Sequence, residues 1–102
     1  MDVKRGREVV AQYRSFLRDF PPRAGGGSRQ DRPFGQNEYM MHVRYMLDRM
    51  EEFLDEVETP PFPNEDSDEA WEKFNRWLGF AQAVLWVYGQ YSLDELRDHN
   101  RT

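Results

Sequence analysis

The chain of 102 residues contains no cysteine, which excludes disulfide frameworks, thiolate nucleophiles and thiolate zinc sites together. Histidine is scarce as well: His42 and His99 are the only two, and their spacing matches no metal-binding or nucleophile-activating pattern. The N-terminal stretch Met1-Asp2-Val3-Lys4-Arg5 lacks the apolar run of a signal peptide, and no apolar stretch approaches the ~20 residues of a membrane span. A soluble, cytoplasmic protein is therefore expected. β structure also lacks support, because no segment alternates cleanly over five or more residues. Without an internal repeat or a catalytic signature, the chain is expected to be neither an enzyme nor the holder of a cofactor or metal.

What is present is a lopsided charge pattern. The net charge of -5 averages a basic front, eight Lys or Arg against four Asp or Glu in residues 1–36, and an acidic rear, six against fifteen in residues 37–102. Phosphate neutralisation supplies most of the affinity of a duplex binder, so an acidic chain argues against nucleic acid as the partner. One domain spanning 1–102 is predicted. It is marginal in the area it buries alone, which makes oligomerisation a natural complement.

Hydrophobic spacing organises that domain into helices. Val9, Tyr13, Phe16 and Phe20 step by four, three and four, which predicts a first helix over 3–20 that Pro21-Pro22 stops. Residues 21–36 then form a loop rich in Gly, Pro and Arg, including Gly25-Gly26-Gly27-Ser28. Asn37 is placed as the cap of a second helix reaching Val57, because Tyr39, Val43, Met46, Met50, Phe53 and Val57 make a heptad-like stripe. The proline-rich segment Glu58-Thr59-Pro60-Pro61-Phe62-Pro63-Asn64 ends it in a turn. Asp66 and Glu69 have the spacing of a capping box for a third helix, with Trp71, Phe74, Leu78, Ala81, Leu85 and Tyr88 along one stripe and Gly89 as its stop. Ser92 and Glu95 repeat the capping box for a short fourth helix, Leu93 to about His99, whose final histidine is expected to be exposed at the helix end. The fold class is all-α: a small bundle of three main helices plus a short C-terminal one.

The second half of the third helix is apolar almost all round. Trp77, Phe80, Trp86 and Val87 exceed what two neighbouring helices cover, so a homo-oligomer is expected. Within that apolar run Gln82 must find a hydrogen-bond partner, and His42, Asn75 or a bound molecule are all in play. Arg76 has two readings, an ordinary pair with Glu72 four residues earlier or a contact to a ligand. His42 is read either as a half-buried histidine satisfied by a neighbour or as a ligand contact beside Tyr45. The loop arginines Arg23, Arg29 and Arg32 are either solvated or converge on an anion with guanidinium forks, although the loop matches no named phosphate-binding motif. Eleven acidic residues between Asp48 and Glu72 face a single arginine, Arg49. They form a solvated face or, with Glu51, Glu52 and Asp55 at its centre, a surface that docks on a basic protein.

Three segments together, His42-Val43-Arg44-Tyr45-Met46-Leu47, Arg76-Trp77-Leu78-Gly79-Phe80-Ala81-Gln82-Ala83-Val84-Leu85 and Leu93-Asp94-Glu95-Leu96-Arg97-Asp98-His99-Asn100-Arg101, resemble a group of small proteins encoded by tailed bacteriophages. The likeness spans about residues 37–101, and its specific part is the RWLGF-x-Q helix. It implies a phage origin and the host cytoplasm as the place of action, and it carries over no catalytic residue. By association, small phage proteins without enzymatic motifs block a host protein or sequester a host signal. The leading expectation is a non-enzymatic accessory protein that counters host defence by sequestering a small anionic, nucleotide-derived ligand. Arg29, Arg32 and Arg76 would meet phosphate, Tyr45 and Trp77 would stack a base, and His42 or Gln82 would bond its edge. The alternative is an inhibitor whose acidic face, Glu51, Glu52 and Asp55, binds a basic host protein.

Overall fold

The computed structural model describes residues 1–22, 35–58 and 65–101, with the backbone alone at 65 and 66. Four helices run in order: α1 (Val3–Phe16), α2 (Gln36–Glu58), α3 (Glu65–Val87) and α4 (Leu93–His99), with no strand among the described residues. The all-α bundle of three main helices and one short one is thus the fold.

Local chemistry sets most of the helix ends. Asp2 caps α1 by accepting the Arg5 amide at 2.8 Å. The helix stops at Phe16, four residues before the expected Phe20, and Leu17 to Phe20 wind into tight turns closed by Arg18 N–H to Ser15 O and Phe20 N–H to Leu17 O. Pro21 explains this early exit, because the residue before a proline is pushed out of helical geometry and the chain must unwind to reach it. At α2, Gly35 rather than Asn37 occupies the cap position, donating its N–H to Glu38 Oε1 at 3.3 Å. Helix α3 begins at Glu65, so Asp66 lies inside the first turn instead of capping it. Its other end is as expected. Gly89 sits at φ +72°, and Gln90 N–H reaches Leu85 O while Gly89 N–H reaches Trp86 O, the paired bonds of a Schellman stop. Ser92 and Glu95 form the reciprocal capping box of α4. The expected turn at 59–64 and the glycine run of the 21–36 loop lie outside the described residues.

The helices alternate in direction. Arg7 pairs with Asp55 and Arg14 with Glu51, so α1 and α2 are antiparallel. Tyr39 meets Tyr88 and Phe53 meets Trp77, ring centroids 5.6 and 5.0 Å apart, so α2 and α3 are antiparallel too. Between them Val9, Tyr13, Val43, Leu47, Met50, Leu54, Phe74 and Leu85 are essentially inaccessible to water. Gly6 lets α1 approach this core, because a Cβ there would lie 3.1 Å from Phe74 Cζ and 3.5 Å from Leu54 Cδ2. Helix α4 folds back across α1 and α3, burying Leu96 and His99. No described helix is long and apolar enough to cross a membrane.

Candidate functional site, an aromatic cleft between helices two and three

The antiparallel pairing of α2 and α3 brings residues 42, 45 and 46 of one helix against 76, 77 and 80 of the other. His42, Tyr45, Met46, Arg76, Trp77 and Phe80 line an open cleft of about 380 Å³, within the range of small-molecule sites. The His42 ring lies 6.1 Å from Tyr45 and meets Phe80 edge-on at 6.1 Å. Trp77 is held from behind by Phe53, T-shaped at 5.0 Å, which fixes the indole while leaving it half-buried.

Arg76 stands apart from the other described arginines. Arg5, Arg7, Arg14, Arg18, Arg44, Arg49, Arg97 and Arg101 each hold a carboxylate or a backbone carbonyl. Arg76 makes neither a hydrogen bond nor an ion pair with any described residue, and the expected pair with Glu72 does not form. A guanidinium that no described residue neutralises, set beside three aromatic rings, combines charge for an anion with faces for a planar group.

Gln82 does not join this cleft. It projects from the other side of α3, donating from Nε2 to Tyr13 Oη at 3.1 Å and to Asn100 Oδ1 at 2.8 Å, and accepting from Asn100 Nδ2 at 3.2 Å. Its hydrogen-bond needs are met by α1 and the chain after α4, neither by His42 nor by Asn75. Burial against these partners pushes the Tyr13 phenol up to about 12. His99 likewise departs from expectation. It is 8 % exposed, not a free helix end, because its Nδ1 lies 2.7 Å from Tyr13 Oη. Arg29 and Arg32 lie outside the described residues.

The acidic face is also rearranged by tertiary contacts. Glu51 takes Arg14 at 2.6 Å, Asp55 takes Arg7 at 2.9 Å and Glu52 takes Arg49 at 2.7 Å. Hydrogen bonding to Glu58 and Asp55 holds the Arg7 guanidinium above its ordinary range. The basic front of the chain thus lies on its acidic middle.

Sequence reasoning placed Met46 in the core stripe and Phe80 in surplus apolar surface, and so missed both as cleft residues. Their signal was available in the spacing: 42, 45, 46 and 76, 77, 80 each subtend one helical face. Among the described residues no cluster of His, Asp and Glu is placed to hold a metal ion. Comparison with known protein families, curated proteins and solved structures finds no match to the chain.

Proposed function

We propose that the protein is a phage-encoded, non-enzymatic accessory protein that acts in the host cytoplasm by sequestering a small anionic, nucleotide-derived signal of host defence. The observation that carries this reading is Arg76, an arginine with no partner among the described residues, at an aromatic cleft with His42, Tyr45 and Trp77. In this reading Arg76 meets phosphate, Trp77 and Tyr45 stack the base, and His42 bonds its edge. Arg29 and Arg32 of the loop add further phosphate contacts. Gln82 is withdrawn from the ligand set, since its amide is already engaged with Tyr13 and Asn100.

A homo-oligomer belongs to the same proposal. Phe80, Trp86 and Val87 are 46, 51 and 68 % exposed on the outer face of α3, and Phe80 also lines the cleft. A second copy on that face would remove these side chains from water and wall the open side of the cleft. The alternative, an acidic face docking on a basic host protein, has less support because Glu51, Glu52 and Asp55 are each held by an arginine of this chain.

Calorimetric titration of the full chain, at tens of micromolar, with a panel of cyclic nucleotides and nucleotide sugars tests the proposal. Binding heat is expected for at least one of them and is lost in Trp77→Ala. Absence of heat across the panel overturns it.

A further inference from the structure

Helix α4 is fastened to the bundle mainly by polar groups. Leu96 is its one deeply buried apolar side chain, and Leu93 is left 45 % exposed. The rest of the attachment converges on the end of the helix. Arg5 of α1 donates from Nε to the carbonyls of His99 and Arg101 at 3.0 and 3.1 Å and from Nη2 to that of Asp98 at 3.1 Å. His99 inserts between Tyr13 and Tyr91, ring centroids 5.4 and 4.9 Å away. Its Nδ1 meets Tyr13 Oη at 2.7 Å and its Nε2 meets Gln12 Nε2 at 3.2 Å. Asn100 then locks onto Gln82 of α3 through two hydrogen bonds.

This arrangement suits a neutral imidazole and penalises a charged one. The C-terminal carbonyls of α4, which would otherwise welcome a histidine cation through the helix dipole, are already occupied by the Arg5 guanidinium. A proton on His99 would place a second positive charge beside that fixed one, in a site nearly closed to water. The charged groups that bear on the ring are Arg5 from α1, which opposes the proton, and Glu95 and Asp98 from α4 itself, which favour it. Tyr13 from α1 and Tyr91 from the α3–α4 connection pack their rings on it, and α3 presents the uncharged Gln82. Burial comes first among these influences and Arg5 second, and together they hold His99 below its ordinary value.

We propose that α4 is a proton-released latch: protonation of His99 frees residues 93–101 from α1 and α3 while the three long helices stay folded. Opening uncovers chiefly groups that water solvates, the Tyr13 hydroxyl, the Gln82 amide and the carbonyls held by Arg5, so it needs far less than global unfolding. The linkage sign follows from the geometry. In the released state the imidazole regains its ordinary affinity near pH 6.5, so the open form binds the proton more tightly and falling pH favours it. Each pH unit between the ordinary value and the depressed one shifts the open-to-closed ratio toward open by at most about tenfold. The aromatic cleft lies on the opposite flank of α3 from Gln82, so the latch does not depend on what the cleft binds.

Amide hydrogen exchange of the full chain by two-dimensional NMR, expressed as protection relative to intrinsic exchange, tests this between pH 7.5 and 5.0. Protection of the α4 amides is expected to fall several-fold or more on acidification while that of α2 core amides such as Met50 holds. The loss should begin as pH falls through the ordinary histidine value near 6.5 and level off once the His99 Cε1–H resonance has titrated in the same samples. His99→Gln should abolish the pH dependence of α4 protection. Equal α4 protection at both pH values, or a loss that keeps growing below the pH at which the His99 ring has finished titrating, overturns the proposal even if the variant does not fold. Persistence of the loss in a folded His99→Gln variant overturns it as well.

Discussion

Two arginines on opposite flanks of the bundle have contrasting fates. Arg5 spends its guanidinium on three carbonyls at the end of α4 and on Glu8, beside a seam where Tyr13, Gln82, His99 and Asn100 satisfy one another. Arg76 borders the cleft between α2 and α3 with no described partner at all. Residue type alone does not distinguish a structural polar group from one available to a ligand; the state of its pairing does. The seam is a closed polar network, the kind that fixes one packing arrangement, whereas the cleft keeps charge and aromatic faces unspent.

The sharpest way to break this contrast is to reverse the free charge. Arg76→Glu is expected to weaken binding of the nucleotide found by calorimetry by about ten- to a hundredfold or more, the range for losing charge-assisted hydrogen bonds. Folding stability should change by no more than about 0.5 kcal/mol, as for a surface position without partners. A thermal melt beside the titration checks both halves, and a large loss of stability would move Arg76 into the structural class.

A smaller effect, with the opposite signature, is expected in the seam. Gln82→Leu strands the Asn100 amide and removes a donor from the buried Tyr13 hydroxyl, so it should cost about 1–3 kcal/mol in urea unfolding while leaving nucleotide affinity within about twofold. Loss of affinity without loss of stability would return Gln82 to the ligand set. Least affected should be the α1–α2 face. Arg14→Ala removes half-buried pairs with Asp48 and Glu51 and is expected to cost about 1 kcal/mol, shrinking further in high salt.

Much of the cleft is legible in the sequence. His42 and Tyr45 share one face of a strongly periodic helix, Arg76 and Trp77 begin the aromatic run of another, and the short connection between those helices leaves antiparallel packing as the simple arrangement. Met46 reads as core and Phe80 as surplus apolar surface, and both readings hold, but that the two also line the cleft shows only once the facing helix is placed. Gln82 was misassigned for a related reason. Its need for a partner could be inferred, but Tyr13 lies 69 residues earlier and no local rule links them. For His99 the helix-end position suggested exposure, and only the return of α4 over α1 buries it.

The amino-acid sequence by itself determined the four helices, the capping box at Ser92, the glycine stop at Gly89 and the all-α class, because periodicity, caps and prolines act within a turn or two of the residues that carry them. Tertiary structure alone decided which polar groups were consumed. Arg7 and Arg14 neutralise acids 34 to 51 residues away, Arg5 reaches carbonyls more than 90 residues away, and Arg76 is left over. Such pairings depend on how helix faces meet in space, and charge strength at one position carries no information about the partner that folding will bring to it.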